Sequence, residues 1–263
     1  MNNLKSLRVL VTRPGAQGDI LCEKITALGG DVVHLPTIDF APPLEPAHFP
    51  EEMDEYDWII FLSPRAVEWS AGHLPPVATK TRIAAPGAGT VKALLDLGLH
   101  DAIYPMSDWT SEGLLELPFF SHVAGQKILL VRGEGGRDKL AHELTVRGAK
   151  VDQLSVYRRV MPVYAEDHPA LLALRQKKID IMVCTSGESL HNLMAMLNAS
   201  HHVLLRDVIV VVISNRLVGL AKELGFRRVA LAENAGHSAM IDMLGLIKRE
   251  TLNSLARGIY DGQ

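Results

Sequence analysis

Short apolar runs alternate with amphipathic stretches along the chain. Ile128–Val131 is apolar throughout, which predicts a buried strand, and the glycine-rich turn Arg132–Arg137 follows it. Beyond the turn, Leu140 and Leu144 recur at helical spacing, and Gly148 stands where a helix of this length would end. The pattern predicts a strand, a turn, a helix and then a second strand.

The same pattern occurs at the start of the chain. Moving the sequence forward by 119 positions places Val9 on Ile128 and Gly29 on Gly148 without a gap. Further matches follow in the same order: Asp57–Ser63 with Asp180–Ser186, the segment ending in Gly98 with that ending in Gly225, and short fourth strands at Asp101–Tyr104 and Arg228–Leu231. The chain is therefore predicted to contain two copies of one α/β unit.

Strands that are apolar throughout, alternating with amphipathic helices, are typical of parallel sheets covered on both faces. In such sheets ligands bind beyond the carboxyl ends of the strands, and both copies place Gly, Ser, Thr and Arg there. A cleft between two such domains would suit an anionic ligand. Five prolines from Pro36 to Pro50 predict a linker or crossover, with a domain boundary near residue 40.

Composition narrows the class of protein. The chain has 263 residues, 48% of them hydrophobic, and a formal net charge of −3, which favours globular domains and argues against general affinity for nucleic acid. No apolar run approaches the roughly 20 residues of a membrane span, and Met1–Leu7 lacks the apolar core of an export signal. Cys22 and Cys184 form no metal-type pair, so we expect a reducing cytoplasm.

Cofactor motifs are incomplete. Gly87–Lys92 begins like a dinucleotide fingerprint, but Lys92 occupies the third glycine position, and Arg132–Arg137 lacks the lysine of a P-loop. The adjacent His201 and His202 do not have metal-ligand spacing, and no serine lies in a G-x-S-x-G elbow. We therefore expect neither a cofactor nor a metal.

Two sets of polar residues remain as candidates. Four serines follow strands at matching places and are most simply helix caps, although a capped helix still offers free N–H groups to a ligand: Ser63, Ser111, Ser186 and Ser238. Tyr157 lies in a predicted strand beside Arg158 and Arg159, where it is either structural or a proton donor. These residues alone indicate a two-lobed α/β protein that favours anions.

Several segments taken in order resemble the bacterial uroporphyrinogen-III synthases. They are Leu10–Pro14, Leu62–Val67, Gly87 with Thr90, Arg132–Arg137, Val156–Tyr157 and Thr185–Glu188. The resemblance implies two flavodoxin-like parallel-sheet domains joined by a two-stranded linker. Domain 1 would be discontinuous, residues 1–36 with 163–263, domain 2 would be residues 42–150, and residues 37–41 and 151–162 would form the linker strands.

The resemblance also implies a function. The family cyclises hydroxymethylbilane to uroporphyrinogen III with inversion of ring D and loss of water, as a hydro-lyase without a cofactor. Tyr157 would be the acid that helps the ring A hydroxyl to leave. The implied substrate-binding residues are Arg13, Ser63, Gly87, Thr90, Ser111, Arg132, Gly133, Ser186, Ser214 and Ser238. We expect a monomer that binds neither nucleic acid nor membrane, with hinge motion about its linker.

Two departures and three alternatives accompany this interpretation. Ser214–Leu217 stands where many members have glycine and threonines, so those threonine contacts do not carry over, and Pro86 replaces a small aliphatic residue. The main alternative is a non-catalytic two-lobed binding protein for a tetrapyrrole or another polyanionic small molecule, including a solute-binding clamp. A catalytically inactive regulator of the same family and a nucleotide-dependent enzyme are the others.

Overall fold

The computed structural model describes residues 3–46, 48–136, 138–197 and 199–260, without the side chains of 252–260. The chain divides into two compact units. The first comprises Met1–Asp39 and Val160–Gln263, and the second comprises Phe40–Arg159. The chain thus leaves the first unit and later returns to it.

The strands, in chain order, are β1 (Arg8–Val11), β2 (Asp31–His34), β3 (Asp39–Ala41), β4 (Trp58–Phe61), β5 (Arg82–Ala84), β6 (Lys127–Gly133), β7 (Lys150–Val160), β8 (Ile181–Val183), β9 (Ile209–Val212) and β10 (Arg228–Leu231). The helices are α1 (Gly15–Ala27), α2 (Pro64–Ser70), α3 (Ala88–Asp96), α4 (Ser111–Leu115), α5 (Lys139–Val146), α6 (Pro169–Arg175), α7 (Gly187–Met196), α8 (Ala199–Leu205), α9 (Asn215–Glu223) and α10 (His237–Tyr260).

The sheet of the first unit has the order β10-β9-β8-β1-β2, and all its strand pairs are parallel. Counted along this unit, the order is 2-1-3-4-5, that of flavodoxin-like folds. The order reverses between β1 and β8. The carboxyl ends of these two strands are therefore where a ligand site is expected.

The second sheet has the order β3-β7-β6-β4-β5, and Ile103 forms a single parallel bridge with Ala84 beyond β5. If β3 is set aside, β6 and β7 are counted before β4 and β5, and the Ile103 bridge takes the fifth place, the spatial order is again 2-1-3-4-5. The two copies therefore share one sheet plan with different chain orders. The predicted strand Asp101–Tyr104 is wrong as a strand, because only Ile103 pairs with a neighbour.

Two matched aspartates support the duplication. Asp180 accepts a hydrogen bond at 2.9 Å from the backbone N–H of Arg8, and Asp57 accepts one at 2.8 Å from the backbone N–H of Lys127. Arg8 and Lys127 are 119 positions apart, as in the sequence match. In each unit the aspartate before one central strand thus holds the amino end of the next strand.

Each sheet has an apolar core on both faces. Leu10 belongs to one core of the first unit and Val9 to the other, and Ile59 and Trp58 divide in the same way in the second. The predicted apolar face of α5 is also confirmed, since Leu140 and Leu144 are 3% and 0% exposed. Burying one such side chain stabilises the fold by about 1.5 to 3 kcal/mol.

Strand β7 contains most of a segment predicted as a linker. It pairs with β6 from Lys150 to Tyr157, so this part of the chain is a strand of the second sheet. At the other end of the chain, α10 continues to Tyr260, the last residue that the structure describes. None of the helices in the described ranges is both long enough and apolar enough to cross a membrane.

Candidate active site

Three candidate positions meet at the carboxyl ends of neighbouring strands in the second unit. Gly133 ends β6, Ser63 follows β4, and Tyr157 lies near the end of β7. Strand β6 lies between β7 and β4, and the side chains of Tyr157 and Ser63 contact each other across its carboxyl end. The order of this sheet reverses between β6 and β4, where ligands are expected.

Tyr157 is held from several sides. Tyr157 is only 5% exposed, and its Oη lies 3.2 Å from Ser63 Oγ. Phe40 meets the ring edge-on at 5.6 Å between centroids, and Trp69 lies at 6.5 Å. The Tyr157 carbonyl accepts a hydrogen bond from Glu134 N–H at 2.7 Å. The phenol therefore has a fixed position, and its only side-chain hydrogen bond described is to Ser63.

Gly133 makes room for the tyrosine ring. A Cβ at this position would lie 2.5 Å from Tyr157 Cζ and 2.9 Å from its Oη, closer than real Cβ contacts allow. The pairing between β6 and β7 also shifts register between Arg132 and Gly133. A bulge of this kind re-aims a side chain next to a functional site. The glycine of the turn thus sets where the phenol lies.

Ser63 performs two tasks. It is the N-cap of α2, where its Oγ accepts a hydrogen bond at 3.1 Å from Ala66 N–H, and Pro64 begins the helix. This confirms the cap predicted from the sequence. The same oxygen faces the Tyr157 hydroxyl, and either group can be the donor. The amino end of a helix and the phenol are thereby joined.

Arg132 holds the glycine-rich turn through hydrogen bonds of its guanidinium. The residue is 8% exposed, and its Nη1 donates to Asp138 Oδ1 and to Gln153 Oε1, each at 2.6 Å. Its Nη2 donates to the carbonyl of Gly135. These bonds fix the turn that carries Gly133.

The other candidates of this unit lie beyond β5 and at α4. Gly87 is the N-cap position of α3 and lies against Trp109, and Thr90 in the first turn of that helix is buried. Ser111 is the first residue of α4, not its cap. Thr110 holds that position, because its Oγ1 accepts from Gly113 N–H at 3.1 Å.

In the first unit, two candidate serines cap helices at the carboxyl ends of central strands. Ser186 follows β8 and accepts from Ser189 N–H at 3.0 Å, and Ser214 follows β9 and accepts from Leu217 N–H at 3.4 Å. Ser238 does not cap α10, because that helix begins one residue earlier. Its exposed hydroxyl instead donates to Asp242 at 3.5 Å.

Arg13 follows β1 at the same edge of the first sheet. Its Nη1 donates to the carbonyl of Ala235 at 2.7 Å, and burial lowers the pKa of its guanidinium. His34 Nε2 lies 2.8 Å from the Arg13 carbonyl oxygen. Gly18 approaches the same carbonyl so closely that a Cβ would lie 2.0 Å from it. The backbone of Arg13 is therefore fixed by two neighbours.

The buried thiol at this edge is chemically inert. Cys184 is fully buried at the end of β8, and burial raises the pKa of its thiol to about 12. It therefore stays protonated at neutral pH and is no nucleophile. Within the described ranges, no cluster of His, Cys, Asp or Glu side chains is suited to hold a metal ion.

Sequence reasoning missed the aromatic residues around Tyr157. Phe40 lies in the proline-rich stretch assigned to a linker, and Trp69 lies in α2. Arg65 stacks over the Phe40 ring at 4.3 Å, which extends the group. The spacing of Trp69 six residues after Ser63 places it in the same helix, but its approach to β7 depends on the sheet order.

Comparison with known proteins gives a consistent result. The family model described as uroporphyrinogen-III synthase HemD matches residues 19–242. The uroporphyrinogen-III synthase of Salmonella typhimurium is 33% identical, over 90% of this chain and 100% of that protein. That of Escherichia coli K12 is 31% identical, over the same shares.

Two solved structures show the same two-domain α/β architecture. The uroporphyrinogen-III synthetase of Helicobacter pylori has a TM-score of 0.60 at 16% identity, covering 94% of this chain and 99% of its own. A mutant uroporphyrinogen III synthase of Thermus thermophilus has a TM-score of 0.55 at 19% identity, covering 94% and 100%. At these identities the likeness supports the fold alone.

Proposed function

This chain belongs to the uroporphyrinogen-III synthase family and serves tetrapyrrole biosynthesis, and we propose that it does so as a cytoplasmic, monomeric hydro-lyase acting on hydroxymethylbilane. The proposal rests on one structural observation above all. The phenol of Tyr157 lies at the carboxyl end of its sheet, fixed by Ser63, where ligands bind in this kind of fold.

The proposed reaction closes a ring and inverts one unit. Hydroxide leaves ring A with a proton as water, and the substituted carbon of ring D attacks the electrophilic methylene carbon that remains. The spiro intermediate fragments and recombines, and a proton is lost from ring D at the end. No electrons are gained or lost overall, so the reaction needs no redox partner.

Tyr157 is proposed to give the leaving hydroxyl its proton. The phenol has a hydrogen-bond partner in Ser63, which accepts from or donates to it as the proton moves. Gly133 and the aromatic rings hold the tyrosine in place. A positioned general acid of this kind contributes about 10² to 10⁴ in rate.

Binding is proposed to use helix termini and arginine for the substrate carboxylates. The first turns of α3, α7 and α9 follow strands at the carboxyl edges, and each leaves backbone N–H groups without helical partners. Arg13 is the candidate cation of the first unit. Holding the substrate so that rings A and D meet is the larger task, because closure without inversion gives isomer I.

An isomer assay tests the proposal. Purified protein receives freshly made hydroxymethylbilane, and the oxidised porphyrins are separated into types I and III. We expect type III to predominate and Tyr157→Phe to lose most of that product. Type I alone, at the rate seen without protein, would contradict the proposed activity.

A further inference from the structure

The first unit contains a cavity that none of the candidate site residues lines. It has a volume of about 660 Å³ and is lined by the first residues of the strands β1, β8, β9 and β10. It therefore opens at the amino edge of the first sheet, whereas Arg13 and Ser186 lie at the carboxyl edge. The two edges are separated by a whole strand, which for the four residues of β1 is about 13 Å at about 3.3 Å per residue.

The floor of this amino-edge cavity is apolar. Ile209 at the start of β9 and Ile247 of α10 are 8% and 7% exposed and form this floor, while the neighbouring Leu174 and Ile181 are 3% and 0% exposed. Val203 of α8 stands at the wall and is 51% exposed. A volume of this size falls within the roughly 300 to 1,000 Å³ of typical small-molecule sites.

The rim is cationic although the whole chain carries a net charge of −3. Five lining side chains are cations, Lys5, Arg8, Lys177, Arg228 and Lys248, against the two carboxylates of Asp180 and Asp207. The carboxylates already have partners in arginines, since Asp180 binds Arg8 and Asp207 lies 3.6 Å from Arg227.

Three of these cations remain available to a ligand. Lys248 is held by the backbone carbonyl of Asn3 at 2.9 Å, and Arg8 is held by Asp180. In the described part of the chain, no ion pair occupies the exposed Lys5, Lys177 or Arg228. An apolar floor below unpaired cations is complementary to a molecule with an apolar body and an anionic group.

We propose that the amino-edge cavity is a second binding site of this protein, for a small amphipathic anion with an aromatic or aliphatic body and a carboxylate or sulfonate group. The anionic group lies against Arg228 and Lys177, and the body lies on the isoleucine floor. The site does not overlap the candidate active site, and its occupation is independent of the proposed catalysis.

The test uses 8-anilinonaphthalene-1-sulfonate on the free full-length chain, with binding measured by fluorescence titration. We expect one saturable site. The neutral N-phenyl-1-naphthylamine has the same rings without the sulfonate and should bind at least about tenfold more weakly, since one charge-assisted bond corresponds to about that factor. Inorganic phosphate alone should not displace the dye at similar concentration.

Matched variants locate the site. Lys177→Asn suits the left-handed backbone at this residue, where φ is +55°, and Arg228→Gln changes an exposed side chain. Together they should lower the affinity for the dye about tenfold or more. Val203→Trp should also lower this affinity, because the larger side chain fills part of the cavity. Lys222→Gln removes an exposed cation of α9 that does not line the cavity and should change nothing.

Circular dichroism melting establishes that each variant is folded, and Arg228→Gln alone serves if the double variant is not. Dye binding that survives these changes, or that is equally strong for the neutral compound, overturns the proposal. Loss of dye binding in Tyr157→Phe also overturns it, because the dye would then occupy the candidate site around Tyr157 in the second unit. None of these readouts depends on synthase activity, so the two proposals fail separately.

Discussion

The hydroxyl oxygens of Tyr157 and Ser63 lie 3.2 Å apart, although the strands that carry or precede them, β7 and β4, are separated by β6. The contact is possible because residue 133 at the end of β6 is glycine. The phenol that is proposed to be catalytic, a helix cap and a glycine-rich turn are thus one local arrangement, and each part can be altered separately.

Replacing the phenol with phenylalanine tests its chemistry. Tyr157→Phe keeps the ring between Phe40 and Trp69 and loses only the hydroxyl. We expect the type III rate to fall about a hundredfold or more, and the free energy of unfolding to fall by about 1 kcal/mol. Initial rates with separation of isomers, and urea unfolding, measure the two effects.

Tyr56→Phe is the matched control. Tyr56 is 3% exposed, and its hydroxyl donates to Asp152 at 2.7 Å. Burial, and then the hydrogen bond to Asp152, raise the pKa of this phenol. It precedes β4 at the amino edge of the sheet, so its loss should cost similar stability and leave the rate unchanged. Equal rates for both variants would remove Tyr157 from the proposed chemistry.

Adding one methyl group at residue 133 tests the role of the turn. In Gly133→Ala the new Cβ collides with the Tyr157 ring, since it would lie 2.5 Å from Cζ. We expect the tyrosine to move, with a loss of type III rate of about tenfold or more and a destabilisation of about 1 to 3 kcal/mol. The initial rate of type III formation and urea unfolding measure these two effects.

Gly219→Ala is the comparison for that change. Gly219 lies within α9, and a Cβ there meets no atom within 4 Å among the described residues. Alanine should stabilise this helix by about 0.5 to 1 kcal/mol and leave the rate unaltered. If the Gly133 variant behaved like the Gly219 variant, the position of the Tyr157 ring would not depend on glycine at residue 133.

Removing the serine hydroxyl separates capping from chemistry. Ser63→Ala and Ser186→Ala each delete an N-cap hydrogen bond, to Ala66 and Ser189 respectively. Each should lower the free energy of unfolding by about 1 kcal/mol. Only Ser63→Ala should change the pH dependence of the type III rate, because only Ser63 contacts Tyr157. Identical pH profiles in both variants would contradict the coupling.

The ion pair between Asp180 and Arg8 makes stability depend on pH. Hydrogen bonds and the charge of Arg8 lower the pKa of the Asp180 carboxyl below its unfolded value. The pair therefore stabilises the fold above the unfolded pKa of about 3.9, and this contribution is lost as pH falls through the lower folded pKa. Asp180→Asn should lower Tm at pH 7 and have little effect near pH 2.

Asp96→Asn provides the comparison for the ion pair. Asp96 forms an exposed pair with Lys92 one helical turn away, at 2.9 Å. Such a pair contributes about 0.5 kcal/mol or less, so its removal should change Tm little at either pH. A Tm difference for Asp180→Asn that is the same at pH 2 and pH 7 would show that the ion pair is not the cause.

Local features were predictable from the sequence because they depend on neighbouring residues. The Ser63–Pro64 cap, the buried face of α5 and the glycine ends of helices follow from spacing and backbone conformation within a few residues. The same locality explains the errors at Ser111 and Ser238. A helix start one residue earlier than predicted at Ser111, or two residues earlier at Ser238, changes the capping residue while the apolar pattern stays the same.

The duplication also was visible in the sequence, since each copy must bury the same strand and helix faces. That pattern determined two α/β units and the match of Asp57 with Asp180. It did not determine the chain order within each sheet. Spatial order depends on which strand edges pair, and these hydrogen bonds involve backbone groups that every residue carries.

The active-site arrangement was decided by tertiary structure. The sequence alone indicated Tyr157, Ser63 and Gly133 as separate polar or flexible positions, and the family resemblance assigned the first its role. Their contact depends on the sheet order, in which β6 lies between β7 and β4. Phe40 of β3 contacts the tyrosine ring from the opposite side of β7. Such contacts join residues as many as 117 positions apart, and no local periodicity carries information over that distance.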